Sequence, residues 1–369
     1  MPAVAHFMAA ELSALVNRVT VEAHVDEAAF LWEHRERAAT APHYRLHHLR
    51  PLDERLVAHL DGARLGGAFA SRVAAAALEG GEAGAVFVAT HLAFAESDPA
   101  RMRQMLGLVL AEPAHAAPFV AALAWLPAAH VAPPLERLGG TSPADARGLA
   151  LAVQGAQRTA PRADTLAAAL AHPDAPHLRS TALRVAGQVG ATEVHAAVAR
   201  AAHDDPVPAC RFWAAWALTL FGDPLGPPRL LSAGLGDPAF ARTGVEVALR
   251  CGAPDWAHDQ VRRLIADPAT RRLGIVGIGA CGDPVAIPWL LAQLDDPLLA
   301  PVAGEAFATI TGADLEHLDL RADAPEATDD LPPEDNDLPW PDAKAVRTWW
   351  PARALRVNPR LRHLCGRPL

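Results

Sequence analysis

The chain has 369 residues, 51% of them hydrophobic but only 5% aromatic, and a formal charge of −9. That length and apolar content suffice for a large core, and the shortage of rings means a core of Ala, Leu and Val, which suits closely packed helices better than a thick β-sandwich. The negative balance argues against a nucleic-acid binder, which needs a basic stripe to displace counterions from phosphate.

Residues 1–50 carry His24, Trp32, His34, His43, Tyr44, His47 and His48 on an irregular helical pattern. This predicts an N-terminal helical cap over the open apolar face of a first repeat. Met1 to Leu12 has no basic lead-in to an apolar run, which is against a signal peptide, so the expected location is cytoplasmic. From 51 to 171, Ala-rich runs are punctuated by Glu79-Gly80-Gly81, Asp98-Pro99, Glu112-Pro113 and Gly139-Gly140; degenerate helix-pair repeats are expected. The longest apolar stretch, Ala114 to Pro133, is interrupted by His115, Pro118, Pro127 and His130. It does not predict a membrane span.

From 172 to 318 the repeat becomes regular. Gly190, Gly222, Gly252, Gly282 and Gly312 fall 32, 30, 30 and 30 residues apart, alternating with Asp205-Pro206, Asp237-Pro238, Asp267-Pro268 and Asp296-Pro297. A fixed period near 30 with two marks per unit predicts an all-α fold, an α-solenoid of stacked antiparallel helix pairs. Proline tolerates the first helical turn and the aspartate before it can cap that turn. Each glycine is expected to end its helix in a left-handed conformation. Eight residues before each glycine stands a small residue, Ala182, Ala214, Gly244, Gly274 or Gly304, expected to let the two helices of a pair approach closely. Cys251 and Cys281 each precede a repeat glycine and read as small buried hydrophobes.

Beyond the repeats the composition changes. Gly312 to Asp342 holds eleven acids against Arg321 alone, with Pro325, Pro332, Pro333, Pro339 and Pro341. Residues 319–342 therefore predict a solvated acidic linker. Residues 343–369 carry seven bases, including the sole lysine, Lys344, and no acid, with Trp349-Trp350 among them. Trp and Arg are the residues most enriched at interaction hot spots. The competing expectation is that this tail folds back on the last repeat, its arginines answering the acidic strap.

Several motifs have weaker chemical readings. Gly277, Gly279 and Gly282 match the G-x-G-x-x-G spacing, but Asp283-Pro284 follows where the phosphate-binding helix should continue, so a packing face is expected. The lone lysine has no Gly-rich lead-in, which excludes a P-loop, and no Gly-x-Ser-x-Gly elbow occurs. Trp213 and Trp216 share one side of a helix and read as core filling. His43 and His47 stand at i, i+4 with Glu36 as a possible third ligand, which leaves a metal-dependent enzyme as an alternative. No cofactor is expected.

The motif Asp205-Pro206, Arg211, Ala214, Ala215, Leu218, Gly222-Asp223-Pro224 resembles HEAT repeats of the short bacterial kind, clearly from about Pro173 to Leu315. A narrower resemblance covers both ends. Ala29-Phe30-Leu31-Trp32 with Arg35, Leu52-Asp53-Glu54-Arg55 and His59-Leu60-Asp61-Gly62 resemble the N-terminal signature of an uncharacterised bacterial HEAT-repeat family. Trp349-Trp350 and Leu364-Cys365-Gly366-Arg367-Pro368 resemble its C-terminal signature. Members of that family are often encoded near type VI secretion spike and effector genes, which implies an accessory or adaptor role. The expectation is thus a non-enzymatic scaffold whose partner is a protein, such as a secreted effector, a spike component or a toxin. The candidate contacts are Trp32, Arg35, Tyr44 and Arg55 in the cap and Trp349, Trp350 and Arg362 in the tail. An immunity-type protein neutralising a toxin remains an alternative that the sequence does not separate from an adaptor.

Overall fold

The computed structural model describes residues 17–41, 44–138, 143–325, 331–354 and 357–369. The chain is an all-α solenoid of stacked helix pairs, divided into two compact units, 1–185 and 186–369. Among the described residues no helix is long and apolar enough to cross a membrane.

The first unit holds α1 (Arg18–Thr40), α2 (Leu46–Leu65), α3 (Ala68–Ala77), α4 (Ala83–Ala95), α5 (Pro99–Ala111), α6 (Ala116–Ala124), α7 (Ala128–Arg137), α8 (Ala144–Ala156) and α9 (Ala163–Leu170). Helix α10 follows at Pro176–Val189. α1, α4, α6 and α8 pack in succession. α4 is buried along its whole length from Gly84 to Phe94, as an all-round apolar helix must be. It approaches α1 so closely that a Cβ on Gly84 would stand 2.6 Å from the Ala29 carbonyl oxygen. Within the span expected to be a cap, the described residues hold α1 and the start of α2, which runs on to Leu65 with Pro51 inside it and Leu56 and Leu60 in the core of the unit.

The second unit holds α11 (His195–Asp204), α12 (Pro208–Leu220), α13 (Gly226–Leu235), α14 (Pro238–Cys251), α15 (Pro254–Ala266), α16 (Arg271–Cys281), α17 (Ile287–Gln293), α18 (Ala300–Thr311) and α19 (Ala343–Ala354). A hairpin of β1 (His363–Leu364) and β2 (Arg367–Pro368) follows. α12, α14, α16 and α18, the helices that the repeat glycines end, pack in succession as one layer, flanked by α11, α13, α15 and α17.

The punctuation works with local differences. Gly190, Gly222, Gly282 and Gly312 take φ of +68°, +78°, +72° and +71°, the left-handed C′ conformation. Gly252 does not: its φ is −70°, and a Cβ there would lie 2.6 Å from the Trp256 ring, so its small size serves a close approach instead. Asp237 caps α14 by accepting from the Ala239 N–H at 3.0 Å. At Asp205, Asp267 and Asp296 the carboxylate accepts from Val207, Ala269 and Leu298 and closes a turn, and the helix starts three or four residues after the acid. Such Asx turns satisfy the backbone that the delayed helix leaves open.

Two expectations about small residues are corrected. Gly244 lies against Gly234 of α13 and Gly274 against Ile265 of α15. At these two positions the close approach is to the preceding helix, whereas a Cβ on Gly304 would lie 3.1 Å from Pro341 and 3.4 Å from Leu315, beyond the repeat glycine. Of the two cysteines read as buried, Cys281 is buried and Cys251 is exposed.

The segment expected to be a solvated linker is tethered. Ala322 N–H donates to the Trp340 carbonyl and Asp342 N–H to that of Leu320, both at 2.8 Å, which pins the two ends of the strap together. Asp335 is buried in a two-pronged pair with Arg272 of α16, a geometry in which each guanidinium nitrogen answers one carboxylate oxygen.

Candidate interaction surfaces

The cap residues fall into three classes of environment. Trp32 is a correction: it is 5% exposed and stacks on Phe87 with ring centroids 4.9 Å apart, so it is core and presents nothing to a partner. Arg35 joins α1 to α2 through Asp53 (Nε to Oδ1, 3.1 Å), with Glu36 also at 3.1 Å and the Trp125 ring 5.9 Å from its guanidinium carbon. Burial acts to lower its pKa, and the bonds and charges of Asp53 and Glu36 outweigh that and raise it. Arg55 is exposed on α2.

Tyr44 stands in a ladder of rings along α1 and the start of α2. Phe30 stacks on His34 at 6.0 Å, Tyr44 meets His34 edge-on at 6.0 Å with a hydroxyl–Nε2 distance of 3.2 Å, and His48 lies edge-on to Tyr44 at 6.2 Å. His47 and His48 are adjacent, with centroids 3.9 Å apart. His48 also accepts from the Arg45 N–H at 3.2 Å, capping the start of α2. Phe30 is 57% and Leu46 87% exposed. Phe30 belongs to the N-terminal signature but not to the contacts expected from the sequence. Its i, i+4 relation to His34 was the available signal.

His43 lies outside the described residues. His47 and Glu36 are both exposed, and Glu36 pairs with Arg35. Among the described residues no three His, Cys, Asp or Glu side chains cluster as metal ligands.

In the tail, Trp349 and Trp350 are half-buried edge-on to Phe307 of α18, with centroids at 6.1 and 5.8 Å, and Arg353 covers Trp349 at 5.4 Å. Arg347 reaches Asp295 (3.0 and 2.6 Å) and the Leu291 carbonyl (2.7 Å), and its bond holds the Asp295 carboxyl below the ordinary range. Arg362 donates to four carbonyls at the ends of two helices: Cys281 (2.5 Å) and Ala280 (3.4 Å) of α16, and Arg250 (2.9 Å) and Leu249 (3.3 Å) of α14. The next backbone N–H groups follow suit. His363 donates to the Gly282 carbonyl at 2.7 Å, Cys365 to Thr309 at 2.6 Å and Gly366 to Ile310 at 3.0 Å. A cation and three donors thus answer the partial negative charge of helix C-termini. Arg347 and Arg362 answer the repeats, not the acidic strap as expected.

Residues 163–250 match the family model of HEAT repeats. The match runs from the start of α9 into the last turn of α14. No curated protein and no solved structure matches the chain.

Within and beyond that HEAT-like segment the tempting motifs have structural roles. Gly277 and Gly279 lie inside α16, where an added Cβ would meet Leu249 of α14 at 2.6 Å and Ala306 of α18 at 3.2 Å. Trp213 is edge-on to Phe212 at 5.2 Å and to Phe240 at 6.0 Å, and Trp216 fills the space beside Gly187. Cys281 lines an open cleft of about 210 Å³ with His258 and Asp283. Its thiol contacts the Leu249 carbonyl at 3.9 Å, and burial pushes its pKa up to about 11, the opposite of an activated nucleophile. His258 pairs with Asp283 at 2.8 Å, as His195 does with Asp223 at 2.9 Å. Each aspartate follows a repeat glycine and ties adjacent helix pairs together.

Proposed function

We propose that the chain is a non-enzymatic scaffold that binds another protein, with the exposed face of the α1–α2 hairpin as its main contact surface. HEAT repeats commonly mediate protein–protein interaction, and the match over residues 163–250 supports that class. The observation that carries the choice of surface is the ring ladder Phe30–His34–Tyr44–His48, with Leu46 and Arg55 also exposed on α2. Exposed aromatic, leucine and arginine side chains on a well-packed hairpin supply the rigid anchors that interfaces use. The inert Cys281 thiol and the pairing of His258 and His195 with aspartates favour a structural over a catalytic use of the polar groups.

The finer reading is that the partner belongs to a type VI secretion apparatus, as spike component or effector, with the chain acting in the cytoplasm as an adaptor. It rests on the resemblance of both ends of the sequence to the family encoded near such genes. The test is co-purification from the native bacterium with mass spectrometry, comparing the wild type with Phe30→Ala and Tyr44→Ala. A spike component or effector recovered near stoichiometrically and lost at least tenfold in the variants, with melting unchanged, is the expected result. Undiminished capture by both variants would remove the hairpin face from the interface.

A further inference from the structure

We infer that the carbonyl row at the ends of α14, α16 and α18 is a segment-binding site that the chain's own C-terminal hairpin occupies as an internal ligand. The segment it accepts carries an arginine followed four residues later by a glycine. The inference rests on the protein-binding reading above and names the chemistry of a partner segment, which displaces the hairpin and takes over the same bonds.

The row is shaped to a backbone. Gly282 and Gly312 end their helices at positive φ, and each is also the floor of a socket. A Cβ on Gly282 would strike the His363 carbonyl oxygen, and one on Gly312 would lie 2.6 Å from that of Cys365. At Gly190 and Gly222, which share the conformation, nothing stands within 4 Å of the same position. The ligand is shaped in return. Cys365 and Gly366, at φ of +49° and +75°, form a tight turn, and a Cβ on Gly366 would lie 2.6 Å from the Thr311 carbonyl oxygen. Two left-handed residues in a row suit a two-residue hairpin of the primed type, in which glycine is the unstrained choice. Arg362 sits four residues before that glycine, and the donors at His363, Cys365 and Gly366 lie between them or at the glycine itself.

The attachment is polar and thin. Of residues 363–369 only His363 is buried, while Leu364 and Leu369 are 37% and 68% exposed. The strands are two residues each, too short to be stable as an isolated hairpin. Bonds to helix-end carbonyls replace bonds to water, so each adds little net. The hairpin therefore holds its place largely through the high effective concentration that tethering gives. A segment borne by a partner already bound elsewhere on the chain gains the same advantage and competes on equal terms.

The probe is a labelled synthetic peptide spanning Val357 to Leu369, titrated against the full-length wild type and full-length Arg362→Ala. The peptide is expected to bind Arg362→Ala at least tenfold tighter than the wild type, whose site is filled. A peptide with alanine in place of Arg362 is expected to bind neither. Equal binding to both chains, or none to either, overturns the inference. If Arg362→Ala fails to fold, the wild type decides. Saturating peptide should speed hydrogen exchange of its own His363, Cys365 and Gly366 amides at least tenfold, and unchanged exchange overturns the inference. Because no partner protein enters the experiment, it can fail while capture through the α1–α2 hairpin stands, and the reverse.

Discussion

Gly222 and Gly282 hold the same place in their repeats and the same left-handed conformation, with φ of +78° and +72°, yet their surroundings differ. Around Gly222 a Cβ would meet open space, and Leu220 and Leu225 on either side are 44% and 56% exposed. Around Gly282 the backbone of His363 fills that space and Arg362 closes the helix ends. The helix-stop requirement explains the glycine at both positions. Only the covered end shows a second use, in which the missing side chain admits another strand of chain.

The largest expected effect on this contrast comes from Phe307, which supports both tryptophans of α19. Phe307→Ala is expected to cost about 3–5 kcal/mol in denaturant unfolding and to free the tail. A loss below about 1 kcal/mol would mean that α19 is not seated there.

A pH scan separates the covered row from the first unit. Burial in α4 lowers the pKa of His91 from 6.5 to about 4, opposed by a backbone bond to Ala122. Between those values the unfolded chain binds the proton and the folded chain does not. Stability is thus full above about pH 6.5 and falls as the pH drops towards 4, by roughly 3 kcal/mol. The loss should fall on the first unit and vanish in His91→Leu, followed by hydrogen exchange of α4 against the tail amides.

The direct contrast is Gly222→Ala with Gly282→Ala. Both place a side chain at positive φ, a strain of about 1–2 kcal/mol. Only Gly282→Ala should also release the hairpin, seen as loss of protection at His363. Equal melting and equal tail protection in the two variants would mean that Gly282 has no use beyond ending its helix. The smallest effect is that of Arg347→Ala. Its pair with Asp295 is largely exposed, so the smallest shift of the four in thermal melts is expected.

The helix pairs were legible because glycine and Asp-Pro act locally: each dictates its own turn whatever lies nearby. Where a mark has two physical uses, the period alone misleads. Gly252 keeps the spacing but answers the Trp256 ring, a contact set by packing. The strap looked solvated because composition counts charges and does not pair them. One arginine, Arg272, converts Asp335 from a surface acid into a buried anchor. Trp32 and Phe30 show the same limit at the candidate surface. They are two residues apart on one helix and opposite in exposure, and the irregular apolar pattern of α1 did not say which faced inward. The tail hairpin was beyond reach, because its partners are carbonyls, which every residue carries.

The claim that the covered end is a filled site is tested most directly by hydrogen exchange of the His363, Cys365 and Gly366 amides in the wild type. They are expected to be protected at least tenfold relative to the free Val357–Leu369 peptide, and to lose that protection in Arg362→Ala. Exchange as fast in the intact chain as in the peptide would contradict it.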